Sequence, residues 1–311
     1  MEKIILDCDP GHDDAVAILM AGIHPKIKLL GITTVAGNQT LDKTTVNALN
    51  VCQYLKLNVP VYAGMSLPMI KNTQSIAADI HGRSGLDGPI FNKLNKKVEK
   101  IHAVNFIIET LKNCKEKITL VITGPMTNIA MAFRLEPSIT KKVKRIVFMG
   151  GSYQLGNVTP AAEFNIYADA EAAYVVFNSG IPLVMMGLDL TRQALCYPSI
   201  IKRMESIGGN ASKLFVDLMT FFCKTQKKVF GWEGGPLHDP TCIAYLIDKT
   251  CIQTKDMYSE VEIRSEKCYG RTLCDYFRVL KNKPNSKVSV ELDVDKFWNI
   301  VEECIKLYNK I

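Results

Sequence analysis

Short apolar runs and longer amphipathic stretches alternate along most of this chain. Residues 4–6, 29–35, 118–122, 145–149 and 183–186 are apolar runs of strand length, and 59–64 reads as a further short strand. Helical spacing follows them, from Asp13 onward and over 40–55, 102–111, 128–134 and 170–178. The repeated strand-then-helix order predicts an α/β fold: a mostly parallel central sheet with helices on both faces, Rossmann-like in plan. The pattern weakens in two places. Between 66 and 100 no periodicity survives, and a long irregular loop beside a parallel sheet is where function usually sits. An amphipathic helix over 211–224 is followed by a turn-rich stretch, 234–240, and a second helix ending near 246. Alternating runs at 258–263, 272–277 and 287–292 then predict a small, partly antiparallel extension. Asp295 is placed as the cap of a final helix over 297–308. No repeat, linker or shift in composition divides the chain, so a single domain over 1–311 is expected.

Hydrophobic residues make up 47% and charged ones 22%, enough apolar material for a full core. No apolar run approaches the ~20 residues of a membrane span and none has the layout of a signal peptide. A cytoplasmic protein with no membrane partner is expected. The ten cysteines contain no Cys-x-x-Cys pair and read as thiols rather than disulfides or a zinc site. A net charge of +7 raises the question of nucleic acid. The lysines gather in three separate segments, 93–100, 141–145 and 224–228, without interleaved aromatics, so solvated faces and no nucleic-acid partner are expected.

The densest chemistry lies at the first strand–helix junction. Asp7-Cys8-Asp9-Pro10-Gly11-His12-Asp13-Asp14 packs four carboxylates and a histidine into eight positions. One or two aspartates would serve a helix N-terminus. Four so close repel one another, and shared protons or a hard divalent cation bound through oxygen relieve that repulsion, the cation being the reading favoured over helix capping.

This segment resembles the DxDPGxDD signature of the inosine-uridine-type nucleoside hydrolases. The resemblance runs from Ile4 to about Cys304, through Gly37-Asn38-Gln39-Thr40, His81-Gly82, Thr123-Gly124-Pro125, Met149-Gly150-Gly151, Ala162-Glu163-Phe164-Asn165 and His238-Asp239. Within the family it is most similar to bacterial pyrimidine-specific ribonucleoside hydrolases, through 35–65, 183–190 and 268–275. The resemblance implies hydrolysis of the N-glycosidic bond of a small-molecule ribonucleoside, uridine or cytidine, to ribose and free base, in nucleoside salvage or catabolism. Broader inosine-uridine hydrolysis is the alternative. A homotetramer or dimer is implied in the same way.

A site is implied as well. Ca²⁺ would be held by Asp9, Asp14, Asp239 and the backbone carbonyl of Thr123, an all-oxygen set that suits a cation taking ~6 to 8 ligands. Asp7 would orient Asn38 or a metal ligand from behind. Asp13 is the implied general base; a carboxylate with a reference pKa of ~3.9 is weak for this, and the cation lowers the demand. Ribose would be gripped by Asn38, Asn157, Glu163 and Asn165, although Asn157 and Asn165 alone would read as ordinary turn residues. His81 and His238 are the candidate acids for the departing base, and Gln226 would read it. His12 is given no role. Two positions depart from the family pattern: Arg83 replaces an acid common after His-Gly, and Phe230 stands where pyrimidine-specific relatives can carry a tyrosine.

Other classes fit less of the chain. An Asp-x-Asp phosphatase would also end its first strand in Asp7 and Asp9, but usually carries threonine where Gly11 stands and leaves Asp13 and Asp14 without a task. A nucleoside phosphorylase needs a phosphate cradle, for which the glycine-rich and basic segments are weak candidates. A nucleoside-binding module has no use for Asp13, and a Ca²⁺-stabilised structural protein has none for the ribose-gripping residues either.

Overall fold

Six strands of the first two thirds are all parallel: β1 (Glu2–Cys8), β2 (Ile27–Thr34), β3 (Val61–Ala63), β4 (Ile118–Ile122), β5 (Val143–Met149) and β6 (Leu183–Met186). In the computed structural model, which describes residues 1–310, they stand in the order β3-β2-β1-β4-β5-β6. Two late strands complete a sheet of eight: Ser286–Leu292 pairs parallel with β6, and Ile252–Met257 closes the edge antiparallel to Ser286–Leu292.

The apolar runs are buried on both sides, as a parallel sheet requires. Side chains of β1 alternate between two cores. Ile4, Leu6 and Cys8 enter one with Phe215 and Trp298, and Ile5 enters the other with Leu120, Ile122 and Phe148. Helix α1 (His12–Ile23) packs in the first core, as does α2 (Leu41–Tyr54) through Ala48, Leu49 and Val51.

The sheet has a consequence for function. Chain direction leaves β1 toward β2 on one side and returns to β4 on the other, so the strand order reverses between β1 and β4. A crevice opens beyond strand ends at such a point, and ligands of open α/β sheets sit there. Asp7 and Cys8 end β1 on one side of it; on the other Thr123, just past β4, donates its N–H to the Asp7 carbonyl at 2.8 Å.

Three sequence expectations need correction. The edge strand Ile252–Met257 was not expected: only its two ends are buried, and its polar middle lacks an apolar run. The runs at 258–263 and 272–277 shrink to Ser259–Val261 and Thr272–Cys274, a two-stranded pair outside the main sheet. Asp293, not Asp295, caps the last helix, Val294–Leu307, accepting from the Lys296 N–H at 3.1 Å. The amphipathic helix expected over 211–224 extends over Gly209–Phe230, which places Gln226 and Phe230 in its final turns. Among the described residues no helix is long and apolar enough to cross a membrane.

Candidate active site

Below the crevice, the turn after β1 folds Asp9 back against Asn38. The Asn38 backbone N–H donates to Asp9 Oδ2 at 2.6 Å, while its side-chain amide reaches the Asp9 carbonyl at 3.2 Å and Asp14 Oδ2 at 3.3 Å. A Cβ at Gly37 or at Gly124 would collide with the Asp9 carboxylate, so both approaches require glycine. Asp14, in the first turn of α1, is fixed from two sides: the Gly11 N–H donates to Oδ2 at 3.0 Å and the Thr123 hydroxyl to Oδ1 at 2.7 Å. Asn165 in turn donates to the Thr123 carbonyl at 2.9 Å.

Asp13, Asp14 and Asp239 each offer a carboxylate oxygen within 4.8 Å of the others, and all three residues are buried. Asp9 stands beside this trio with its Oδ1 buried and without a hydrogen-bond partner. Among the described residues, none of the four carboxylates takes part in a salt bridge. Burial pushes their pKa values up, Asp13 to about 7 and Asp14 to about 6, and neighbouring carboxylates push Asp9, Asp13 and Asp239 further in the same direction. An all-oxygen cluster with an orphaned buried oxygen and no cationic side chain matches what a hard divalent cation needs.

Asp7 departs from expectation. Its carboxylate hydrogen-bonds neither Asn38 nor an expected metal ligand, and only its backbone carbonyl holds Thr123; its Oδ1 accepts from the Thr33 hydroxyl at 2.5 Å and from the Asn128 amide at 2.8 Å. Still within β1, it ties the strand to β2 and to the helix Thr127–Leu135 rather than to the crevice.

Over this floor lies a cavity of about 840 Å³. Of the expected site residues, Asp13, Asn38, His81, Thr123, Asn157, Glu163, Asn165, Gln226, Phe230, His238 and Asp239 line it; Asp9 and Asp14 sit behind. Glu163 is an N-cap, accepting from the N–H groups of Asn165 (2.8 Å) and Ile166 (3.1 Å) and also from that of Gly151 (2.8 Å). Burial nonetheless raises its pKa to about 7. Asn157 is exposed and accepts from the Phe164 N–H at 2.9 Å. Gln226 is buried, with its Oε1 unpartnered.

The irregular loop contributes His81 from a single helical turn, α3 (Ala78–His81). His12, given no role from sequence, lies directly against it: the two Nδ1 atoms are 3.1 Å apart, and His12 Nε2 meets the Asp87 carbonyl at 2.7 Å. Both rings stack on Phe222. His238 Nδ1 contacts the Thr191 hydroxyl at 2.7 Å. Burial depresses all three imidazoles, His12 to about 4 and His238 to about 3, so each ring offers an N–H rather than an imidazolium. Among the other lining residues that sequence reasoning missed, two stand out. Trp232 stacks on Phe230 with ring centroids 5.1 Å apart, and Arg192 donates to the Gly156 carbonyl at 2.8 Å. The first was detectable as one of only two tryptophans in the chain; nothing local marked the second.

Fold and site together define an α/β enzyme whose crevice joins a buried carboxylate floor to amide, carboxylate and imidazole walls suited to a hydroxylated small molecule. Known proteins narrow this further. The family model "Inosine-uridine preferring nucleoside hydrolase" matches residues 4–299. The pyrimidine-specific ribonucleoside hydrolase RihB of Escherichia coli O17:K52:H18 is 58% identical over 308 residues, covering 99% of this chain and 98% of the relative, and RihB of Shigella flexneri matches equally. Among solved structures, the purine-preferring ribonucleoside hydrolase from Gardnerella vaginalis superposes with a TM-score of 0.93 at 34% identity, covering 100% of both chains. The chain belongs to the inosine-uridine preferring nucleoside hydrolase family and is a ribonucleoside N-glycosidase.

Proposed function

We propose that this enzyme hydrolyses pyrimidine ribonucleosides, uridine and cytidine, with Ca²⁺ held by Asp9, Asp14, Asp239 and the Thr123 carbonyl. The observation that carries the base assignment is Gln226: a buried amide on the cavity wall whose Oε1 has no protein partner. A terminal amide offers one acceptor beside two donors, which matches the donor-and-acceptor edge of uracil and, with the amide turned over, that of cytosine. Phe230 and Trp232 supply an apolar face against which a flat base packs. The names of the relatives at 58% identity support the pyrimidine reading.

Asn38, Asn157, Glu163 and Asn165, four polar residues that line the cavity, take the ribose hydroxyls. When bound, the cation supplies charge that acidifies a water and anchors hydroxyl oxygens. Asp13 receives the proton of the attacking water at its carboxylate. The sugar passes through an oxocarbenium-like state as the bond to the base lengthens, and the surrounding anionic oxygens favour its positive charge. His81 and His238 hydrogen-bond the departing base through neutral ring N–H groups and so stabilise the charge it takes up, and the released base then takes a proton from solvent.

The protein acts in the cytoplasm as a homo-oligomer. Its cysteines, all free, suit a reducing compartment. Phe277, Val279 and Leu280, exposed at 83%, 75% and 56%, form an apolar segment of the kind that subunit contacts cover.

Ribose release from uridine, cytidine and inosine in phosphate-free buffer with Ca²⁺ tests the reading. Uridine and cytidine are expected to exceed inosine at least about tenfold in kcat/KM, a difference of about 1.4 kcal/mol in transition-state stabilisation. Equal rates would establish the broad inosine-uridine specificity instead.

A further inference from the structure

We propose that the single turn after β6, Leu188 to Arg192, sets two walls of the cavity at once: Thr191 is a positioning residue for His238, and Arg192 is one for the loop that carries Asn157. The inference rests on the ribonucleoside reading above.

This turn is itself held firmly. The Leu188 N–H donates to the Gly151 carbonyl at 2.9 Å, tying it to the end of β5, and Asp189 Oδ2 accepts from the Tyr153 N–H at 2.7 Å. Thr191 is fully buried, and its hydroxyl lies 2.7 Å from His238 Nδ1. A contact on one ring nitrogen fixes both the rotation of an imidazole and which nitrogen is left to act. Nδ1 is the nitrogen occupied, and among the described residues Nε2 has no partner, so Nε2 is the atom presented to the cavity.

The next residue holds a different segment of the lining. Arg192 donates from Nη2 to the Gly156 carbonyl at 2.8 Å and from Nη1 to the Leu155 carbonyl at 3.4 Å, the two residues directly before Asn157. This loop otherwise turns on itself, with the N–H groups of Asn157, Val158 and Thr159 all directed at the Ala162 carbonyl. An exposed loop of this kind loses order unless something outside it bears the entropy of fixing it, and the guanidinium fork spans two consecutive carbonyls as an ammonium does not. Thr191 therefore acts on the leaving-group side and Arg192 on the sugar side, from adjacent positions.

The experiment uses the full-length Ca²⁺-loaded enzyme with uridine and separates the two roles by kinetics. Thr191→Val keeps the shape and removes the hydroxyl. It is expected to lower kcat about 10- to 100-fold with KM changed less than about twofold, and Thr191→Ser to restore most of the loss. Arg192→Met keeps the stem and removes the fork. It is expected to raise KM about tenfold with kcat nearly unchanged, and Arg192→Lys to recover only part. The ¹⁵N resonances of the His238 ring should show loss of the Nδ1 hydrogen bond in Thr191→Val, whereas in Arg192→Met, where only a nearby charge is removed, that bond should persist. The proposal is overturned if Thr191→Val turns over uridine normally, if Ser fails to restore it, or if both variants lose kcat and KM together in step with a lowered Tm. A wild-type enzyme that releases no ribose from any ribonucleoside removes the underlying reading along with it, whereas an active wild type with indifferent variants removes this proposal alone.

Discussion

The floor of the cavity and its rim are built from different material. On the floor, Asp9, Asp13, Asp14 and Asp239 are at most 5% exposed; the first three come from the junction of β1 and α1, a strand paired on both sides, and Asp239 joins them from the N-terminus of the helix Pro240–Ile247. At the rim, Phe230 is 43% exposed at the last turn of a helix, Asn157 sits on an exposed loop, and His81 comes from a single helical turn within an irregular stretch. A floor fixed from every side suits a reaction with one charge distribution to stabilise. A rim made of loop and helix end can change with the base while the reaction stays the same.

Asp239→Asn strikes the floor and should have the largest effect. Uridine hydrolysis is expected to fall at least about 10³-fold, because both the cation site and the electrostatic field on the sugar are damaged. The same substitution removes one of several mutually repelling buried charges, so in chelator the variant should melt at a higher temperature than the wild type. Steady-state rates and thermal melts check the two halves separately; a variant that keeps a tenth of its activity breaks the distinction between floor and rim.

Gln226→Leu strikes the rim. Losing both hydrogen bonds to the base should cost uridine about 10²-fold in kcat/KM, while inosine changes less. A uniform loss across nucleosides would mean that Gln226 shapes the cavity rather than reads the base.

Glu163 lies between the two regions and makes a prediction about pH. Its folded pKa is raised to about 7 from an ordinary 4.5, so the folded chain keeps a proton that the unfolded chain gives up earlier. Stability from this group is therefore present in acid, declines as pH rises through the window from 4.5 to about 7, and is flat beyond it. The decline amounts to at most about 3 kcal/mol. With Ca²⁺ saturating, Tm should be lower at pH 8 than at pH 5, and Glu163→Gln should flatten that slope. The smallest effect is expected from Phe230→Tyr, a few-fold gain for uridine over inosine in competition assays, since one added hydroxyl on a half-exposed side chain offers a single further hydrogen bond.

How far the sequence could be read follows the same division. The parallel sheet was legible because its strands are continuous apolar runs buried on both faces, whereas Ile252–Met257, polar along its middle, carried no such run. The floor was legible because most of its charge lies within eight consecutive positions. Asp7 was not: whether an aspartate at a strand end points to the crevice or to Thr33 and Asn128 depends on where the strand stops, which spacing does not reveal. Arg192 and the Asn157 loop are brought together from 35 positions apart by the return of β6 beside β5, and no local pattern marks such a pair. His12 was visible, but its partner His81 lies 69 residues away.

On the reading proposed above, the buried carboxylate floor works as a Ca²⁺ site for uridine hydrolysis. The most direct test strips the enzyme with a chelator, removes the chelator, and follows ribose release from uridine in phosphate-free buffer as Ca²⁺ is added back. Negligible release is expected from the stripped enzyme, with full recovery that saturates at about one Ca²⁺ per chain, set by a single floor. Undiminished ribose release from the stripped enzyme, or recovery unrelated to Ca²⁺, would contradict it.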